Sequence, residues 1–174
     1  MGGRGAASRG GRGGSKPIPQ SKQTEMAENA SKKIGKVLDD IKKHGFSKRV
    51  PFTVGKVEDR MRQYAKENGV KLSSRNIYMT SQQIAHATRE TKKTAGKVVS
   101  RSAMMGFPKK MKGMKLYYDT KKGNFVYSDG RNKFIIHPNY QLKIRRKMKT
   151  KVNFVTASKT DGREFNQKNY EKIG

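Results

Sequence analysis

The sequence contains no cysteine and no tryptophan, and only 13 of its 174 residues are acidic. The absence of cysteine excludes disulfide scaffolds, thiol nucleophiles and cysteine-based zinc sites. Apolar runs reach only three residues, as at Phe134 to Ile136, whereas a membrane-spanning helix needs about 20. No secretory apolar segment follows Met1. These absences predict an intracellular setting, or one inside something that enters a cell, and no membrane partner.

Basic residues dominate the charge, because 41 Lys and Arg give a formal net charge of +28. A surface this positive repels itself, and it is best accommodated beside a polyanion. Nucleic acid is the clearest candidate, since neutralising its phosphates releases counterions. An anionic membrane fits less well, because the helical segments lack the bulky apolar face of membrane-surface helices.

The pattern along the chain predicts three regions. Residues 1–20 are rich in Gly and Arg and are expected to be a disordered arm, acting either as a flexible tail or as an RNA-binding segment. Residues 21–72 are expected to be helical, with one amphipathic helix over 24–44 capped by Gly45. A second helix is expected over 54–68, with Thr53 as its N-cap and Gly69 as its stop.

Residues 73–174 are expected to form an α+β domain. A short strand over 76–79 precedes a third helix, which begins at a capping box from Thr80 to Gln83. Residues 94–114 have no assigned element, and Pro108 is expected to exclude a helix there. After Lys115 the apolar residues alternate, with turns at 122–124, 129–130 and 138–139. The fold class predicted is α+β, with N-terminal helices followed by a four- or five-stranded antiparallel sheet.

The stretch from 131 to 160 contains nine Lys and Arg and no acid. If it is stranded, Lys143 and Arg145 share one face, and so do Lys133 and His137. That face is predicted to be an electropositive surface for phosphates. A solvated basic edge strand that discourages aggregation is the alternative.

Metal-dependent chemistry is not expected. Residues 91–174 hold only five acids, three of them in or beside turns, whereas metal-dependent phosphodiester cleavage needs clustered carboxylates. The three histidines show no zinc-ligand spacing, and no phosphate-binding loop motif occurs. We therefore expect no cofactor and no metal.

RNA can be cleaved without a metal, because its 2′-hydroxyl attacks the neighbouring phosphate when a base and an acid assist. His86 and His137 are the candidate pair, since imidazole titrates near neutrality. A structural role for either histidine remains the alternative. Thr156 and Ser158 are candidates to assist at the site. The candidate nucleic-acid-binding residues are Arg89, Lys92, Lys133, Lys143, Arg145 and Lys159.

Three segments carry a family resemblance: NIYMTSQQIAHATRETKK, KLYYDTKKGNFVYSDGRNKFIIHPNYQLK and TKVNFVTASKTDGREFNQKNYEKI. Together they resemble phage and toxin members of the barnase, EndoU, colicin and RelE-like nuclease superfamily. The resemblance implies a four-stranded sheet after helices and metal-independent ribonuclease activity. It places His86 with Arg89, and Thr156 with Ser158, at the site. The opening MGGRGAASRGGRGG resembles the starts of phage structural or head-morphogenesis proteins.

The resulting functional hypothesis is a phage-associated, metal-independent ribonuclease acting on RNA, in preference to DNA, in the host cell. Phage capsid or head proteins are further candidate partners, and the virion and host cytoplasm are the expected locations. The alternative is a basic phage structural or host-takeover protein that binds nucleic acid without chemistry. An inhibitor of a nucleic-acid enzyme fits less well, because inhibitors that mimic DNA are acidic.

Overall fold

The computed structural model describes residues 19–48, 51–89 and 93–174. The Gly- and Arg-rich N-terminal segment predicted over 1–20 lies outside this part of the chain, except for Pro19 and Gln20. The described residues form four α-helices: α1 Gln20–His44, α2 Asp59–Glu67, α3 Ser81–Ala87 and α4 Arg101–Lys110. The seven strands are β1 Phe52–Lys56, β2 Asn76–Met79, β3 Lys115–Asp119, β4 Asn124–Ser128, β5 Asn132–Ile144, β6 Lys147–Lys159 and β7 Tyr170–Ile173. The α+β class is confirmed.

All seven strands belong to one sheet in the order β1-β2-β6-β5-β4-β3-β7. Neighbouring strands are antiparallel except β2 and β6, which are parallel. The sheet therefore has more strands than the four or five predicted. Strand β1 lies within 21–72 and pairs with β2, so the region predicted to be helical also supplies an edge strand.

The second helix begins later in the structure than the sequence predicts. Thr53 is a strand residue instead of an N-cap, and α2 starts only at Asp59. Thr53, Val54 and Gly55 explain the difference, because β-branched residues and glycine are poor helix formers, and Thr and Val favour strands.

Two predicted helix boundaries are confirmed. Gly45 ends α1 with a left-handed φ of 81°, and its N–H donates to the carbonyl of Ile41. A glycine takes this conformation without the steric cost that a Cβ atom imposes. Thr80 is the N-cap of α3, where its hydroxyl accepts a hydrogen bond from the Gln83 N–H.

Pro108 does not exclude a helix, so that prediction is wrong. It lies in the last turn of α4, which ends at Lys110. Proline removes one backbone hydrogen bond there, but Pro108 and the adjacent Phe107 are buried. Phe107 stacks on Phe134 of the sheet, with ring centroids 4.4 Å apart. This packing holds the helix where local propensity disfavours it.

One hydrophobic core joins the helices to the sheet. Each of the four helices contributes buried side chains, including Ile34, Met61, Ile84 and Met104. Alternate residues of the central strands, such as Phe125, Tyr127, Phe134, Ile136 and Phe154, belong to the same cluster. The residues between them point to the opposite side of the sheet, which we call the second face.

Candidate nucleic-acid interface

The strand register places four predicted site residues on the second face. Cross-strand partners share a face. Lys133 is paired with Ser158, Ile135 with Thr156 and, beyond a bulge, His137 with Asn153. Their neighbours Phe134 and Ile136 point into the core. The structure thus brings Lys133, His137, Thr156 and Ser158 to one side of two adjacent strands.

His137 is half-buried, and its ring is held by the backbone. The Asn139 N–H donates to its Nδ1 at 2.9 Å, so the neutral ring carries its proton on Nε2. Burial lowers the pKa of His137 below its ordinary value of 6.5. Protonation of Nδ1 also breaks the hydrogen bond from Asn139. This histidine is therefore suited to donate a hydrogen bond from Nε2 at neutral pH, and less suited to accept a proton.

His86 is exposed on α3, and the Arg89 guanidinium lies 3.2 Å from its Nδ1. Gln83, one turn earlier on the same side of the helix, donates from Nε2 to the Tyr140 hydroxyl at 3.3 Å. The ring of Tyr140 in turn contacts the ring of His137, with centroids 6.1 Å apart. These contacts connect α3 to the His137 end of the second face. Lys92, another predicted binding residue, lies outside the described residues.

Lys133 is engaged within the protein. Its Nζ lies 2.7 Å from Oε2 of Glu164, on the 3₁₀ helix Arg163–Asn166 that follows β6. Phe165 of the same turn stacks on Tyr117 of β3, with centroids 4.4 Å apart. Lys159 is exposed at the end of β6, and its N–H donates to the carbonyl of Lys97. The C-terminal turn thus covers part of the second face and neutralises one cation there.

The largest departure from the predicted site is the hairpin of β5 and β6. The predicted turn at 138–139 is wrong, because β5 passes through these residues with a bulge. The chain reverses at Arg145 and Arg146, between the paired residues Ile144 and Lys147. Strand β4 pairs with β5 only up to Ile136, and β2 pairs with β6 only at 152–153. Residues 140–151 therefore pair only with each other among the described residues, and we call them the arm.

The arm is a two-stranded ribbon that extends beyond the pairing of the neighbouring strands. Its five residue pairs span about 17 Å at roughly 3.4 Å per residue. It contains no acid and six cations, which are Lys143, Arg145, Arg146, Lys147, Lys149 and Lys151. All but Lys151, which lies over the Tyr78 ring at 5.0 Å, are exposed. The ion pairs found among the described residues all involve other parts of the chain.

Charge is distributed over both faces and the tip of the arm. Lys147 and Lys149 are paired with Ile144 and Leu142 and share one face with them, whereas Lys143 is paired with Met148 on the other. Arg145 was predicted to share a face with Lys143, and this is wrong. It lies in the turn instead, with a φ of 59°. Such a conformation is rare for a residue with a Cβ atom.

Sequence reasoning missed Arg146, Lys147, Lys149 and Lys151 as candidates. The acid-free stretch was the available signal. A turn at Pro138 and Asn139 would divide the acid-free stretch between different strands, so the sequence did not predict one long hairpin with its turn at Arg145 and Arg146.

The part of the chain that the structure describes contains no cluster of three His, Asp or Glu side chains able to hold a metal ion. In the same residues, no helix has the length and apolar character needed to cross a membrane. Comparison with protein-family models, curated proteins and solved structures finds no match to this chain.

Proposed function

We propose that the protein binds nucleic acid through the arm. The observation that carries the proposal is the group of exposed cations on a ribbon without acids. Lysine and arginine side chains that lack carboxylate partners are free to neutralise phosphates, and each contact releases counterions. Contacts of this kind are independent of base sequence.

A double charge reversal tests this function. Lys147→Glu with Lys149→Glu changes two exposed arm residues, whereas Lys32→Glu with Lys36→Glu makes the same charge change on the exposed side of α1. Each phosphate contact contributes about 0.9 to the slope of log K against log salt. Losing one contact therefore lowers the affinity at 0.1 M salt about eightfold. We expect the arm variant to lose at least about 60-fold in fluorescence anisotropy with labelled RNA or DNA. An equal loss in both variants would refute the arm as the interface.

A second candidate function is metal-independent RNA cleavage on the second face. Its support is the strand register that brings His137, Thr156 and Ser158 together. His86 is on α3, which packs into the core on the other side of the sheet. The ion pair of Lys133 with Glu164 weakens the case, because that lysine is already neutralised. The phage association, the head-protein partners and the virion or host location stay predictions from the family resemblance.

A further inference from the structure

We infer that the arm inserts tip-first into the major groove of double-stranded DNA. This inference rests on the proposed nucleic-acid binding and specifies its ligand. A ribbon that lies flat along one strand needs cations on one face only. A ribbon inside a groove has phosphate backbones on both sides, and it meets them with both faces.

The charges of the arm fit the second arrangement. Lys149 and Lys143 lie on opposite faces, and Arg145 and Arg146 occupy the tip. The guanidinium groups at the tip suit the floor of the groove, because arginine donates two hydrogen bonds to the major-groove edge of guanine. The ribbon thus has cations for both groove walls and two arginines at the end that enters the groove.

The dimensions select the form of the duplex. The major groove of B-form DNA is about 12 Å wide and admits a two-stranded ribbon, whereas the major groove of A-form RNA is too narrow for side chains to read. The root of the arm contacts the rest of the protein through Tyr140 and Lys151, and Leu142 is buried. The ribbon from Leu142 to the turn still spans about 10 Å, enough to reach a groove floor about 8.5 Å deep. This geometry favours duplex DNA as the ligand of the arm. The sequence hypothesis of metal-independent cleavage favours RNA instead, because it needs the 2′-hydroxyl.

Two single charge reversals test groove insertion directly. Lys143→Glu alters one face of the arm and Lys149→Glu the other, and both residues are exposed, so neither variant should unfold. We expect each to lower affinity for a 20-base-pair DNA duplex by about eightfold or more at 0.1 M salt. The Lys32→Glu variant serves as the control. A loss confined to one face would overturn the inference and indicate a ribbon lying flat.

The choice of ligand is tested with the unaltered full chain. We expect tighter binding to the DNA duplex than to an RNA duplex of the same sequence and charge. We also expect protection of guanine N7, a major-groove atom, from methylation by dimethyl sulfate. Equal affinity for both duplexes, or unprotected N7, would overturn groove insertion but leave nucleic-acid binding by the arm intact. Failure of the Lys147 and Lys149 double variant to weaken binding would instead remove the proposed function itself.

Discussion

Lys133 and Glu164 form an ion pair on the second face, with Nζ and Oε2 2.7 Å apart and both side chains largely buried. Glu164 also accepts hydrogen bonds from the hydroxyls of Thr160 and Tyr170. The C-terminal turn is therefore attached to the sheet by a carboxylate with three donors. A lysine predicted from the sequence to bind phosphate thus has a structural partner.

Replacing Glu164 with Gln should destabilise the fold, because the charge that strengthens these hydrogen bonds is lost. Hydrogen bonds to charged groups contribute about 1.5–3 kcal/mol, and Gln retains part of this, so we expect a loss of about 1–2 kcal/mol. That corresponds to a fall in Tm of roughly 2–8 °C. Glu28→Gln, on an exposed position of α1, should leave the Tm unchanged in calorimetry. Equal Tm values for all three proteins would contradict this role.

The same carboxylate predicts acid sensitivity. Burial alone would raise the pKa of Glu164, but hydrogen bonds from Lys133 and Thr160, and the charge of Lys133, lower it below its ordinary value of 4.5. A lowered folded-state pKa means that the stabilisation is complete above the unfolded-state pKa and is lost as pH falls through the folded-state pKa. Denaturation midpoints of the wild type and Glu164→Gln should therefore converge below pH 4.5.

Helix α4 could not be predicted from the sequence, and Phe107 tests its importance. This ring is fully buried and lies between Phe134 and Tyr127. Phe107→Ala should cost about 3–5 kcal/mol, since it leaves a cavity in the core. Lys109→Ala, exposed on the same helix, should change the urea midpoint little. A small effect of Phe107→Ala would indicate that residues 94–114 are loosely packed.

What the sequence predicts correctly has local causes. The amphipathic spacing of α1 with Gly45, the cap at Thr80 and the alternation after Lys115 each depend on a few neighbouring residues. The misjudged segments depend on distant ones. Pro108 is tolerated because Phe107 meets the sheet, and residues 138–139 continue β5 because Asn139 donates to Lys71 and Ser73 donates to Pro138. The pairing of Lys133 with Glu164 likewise joins residues far apart in the chain.

His137 should titrate below pH 6.5, because burial lowers its pKa. Since the folded-state pKa is below the unfolded one, the neutral ring stabilises the fold above about pH 6.5, and this stabilisation is lost as pH falls through the folded-state value. NMR of the ring nitrogens should show a neutral ring with its proton on Nε2 at pH 7. A midpoint above 6.5, or a proton on Nδ1, would contradict the hydrogen bond from Asn139.

Arg145 allows binding and folding to be separated. Its φ of 59° is unfavourable for arginine, and glycine adopts it readily. Arg145→Gly should therefore leave stability unchanged or raise it by up to about 1 kcal/mol, while affinity for duplex DNA falls about eightfold at 0.1 M salt. The slope of log K against log salt should also decrease by about 0.9. An unchanged slope would show that Arg145 does not contact phosphate.

Cleavage is tested by incubating single-stranded RNA with the protein in EDTA. If the second face is a ribonuclease site, a cyclic phosphate should form, because the 2′-hydroxyl is the nucleophile. General acid and base groups contribute about 10² to 10⁴ in rate. His86→Ala should lose this much if the exposed His86 ring transfers the proton. His137→Ala should lose a similar factor if its Nε2–H stabilises the phosphate. Both variants should keep the affinity of the wild type, because the arm is unaltered.

A requirement for Mg²⁺, or full activity in both variants, would refute this mechanism. Tight binding of RNA without any cleavage would leave nucleic-acid binding by the arm as the function.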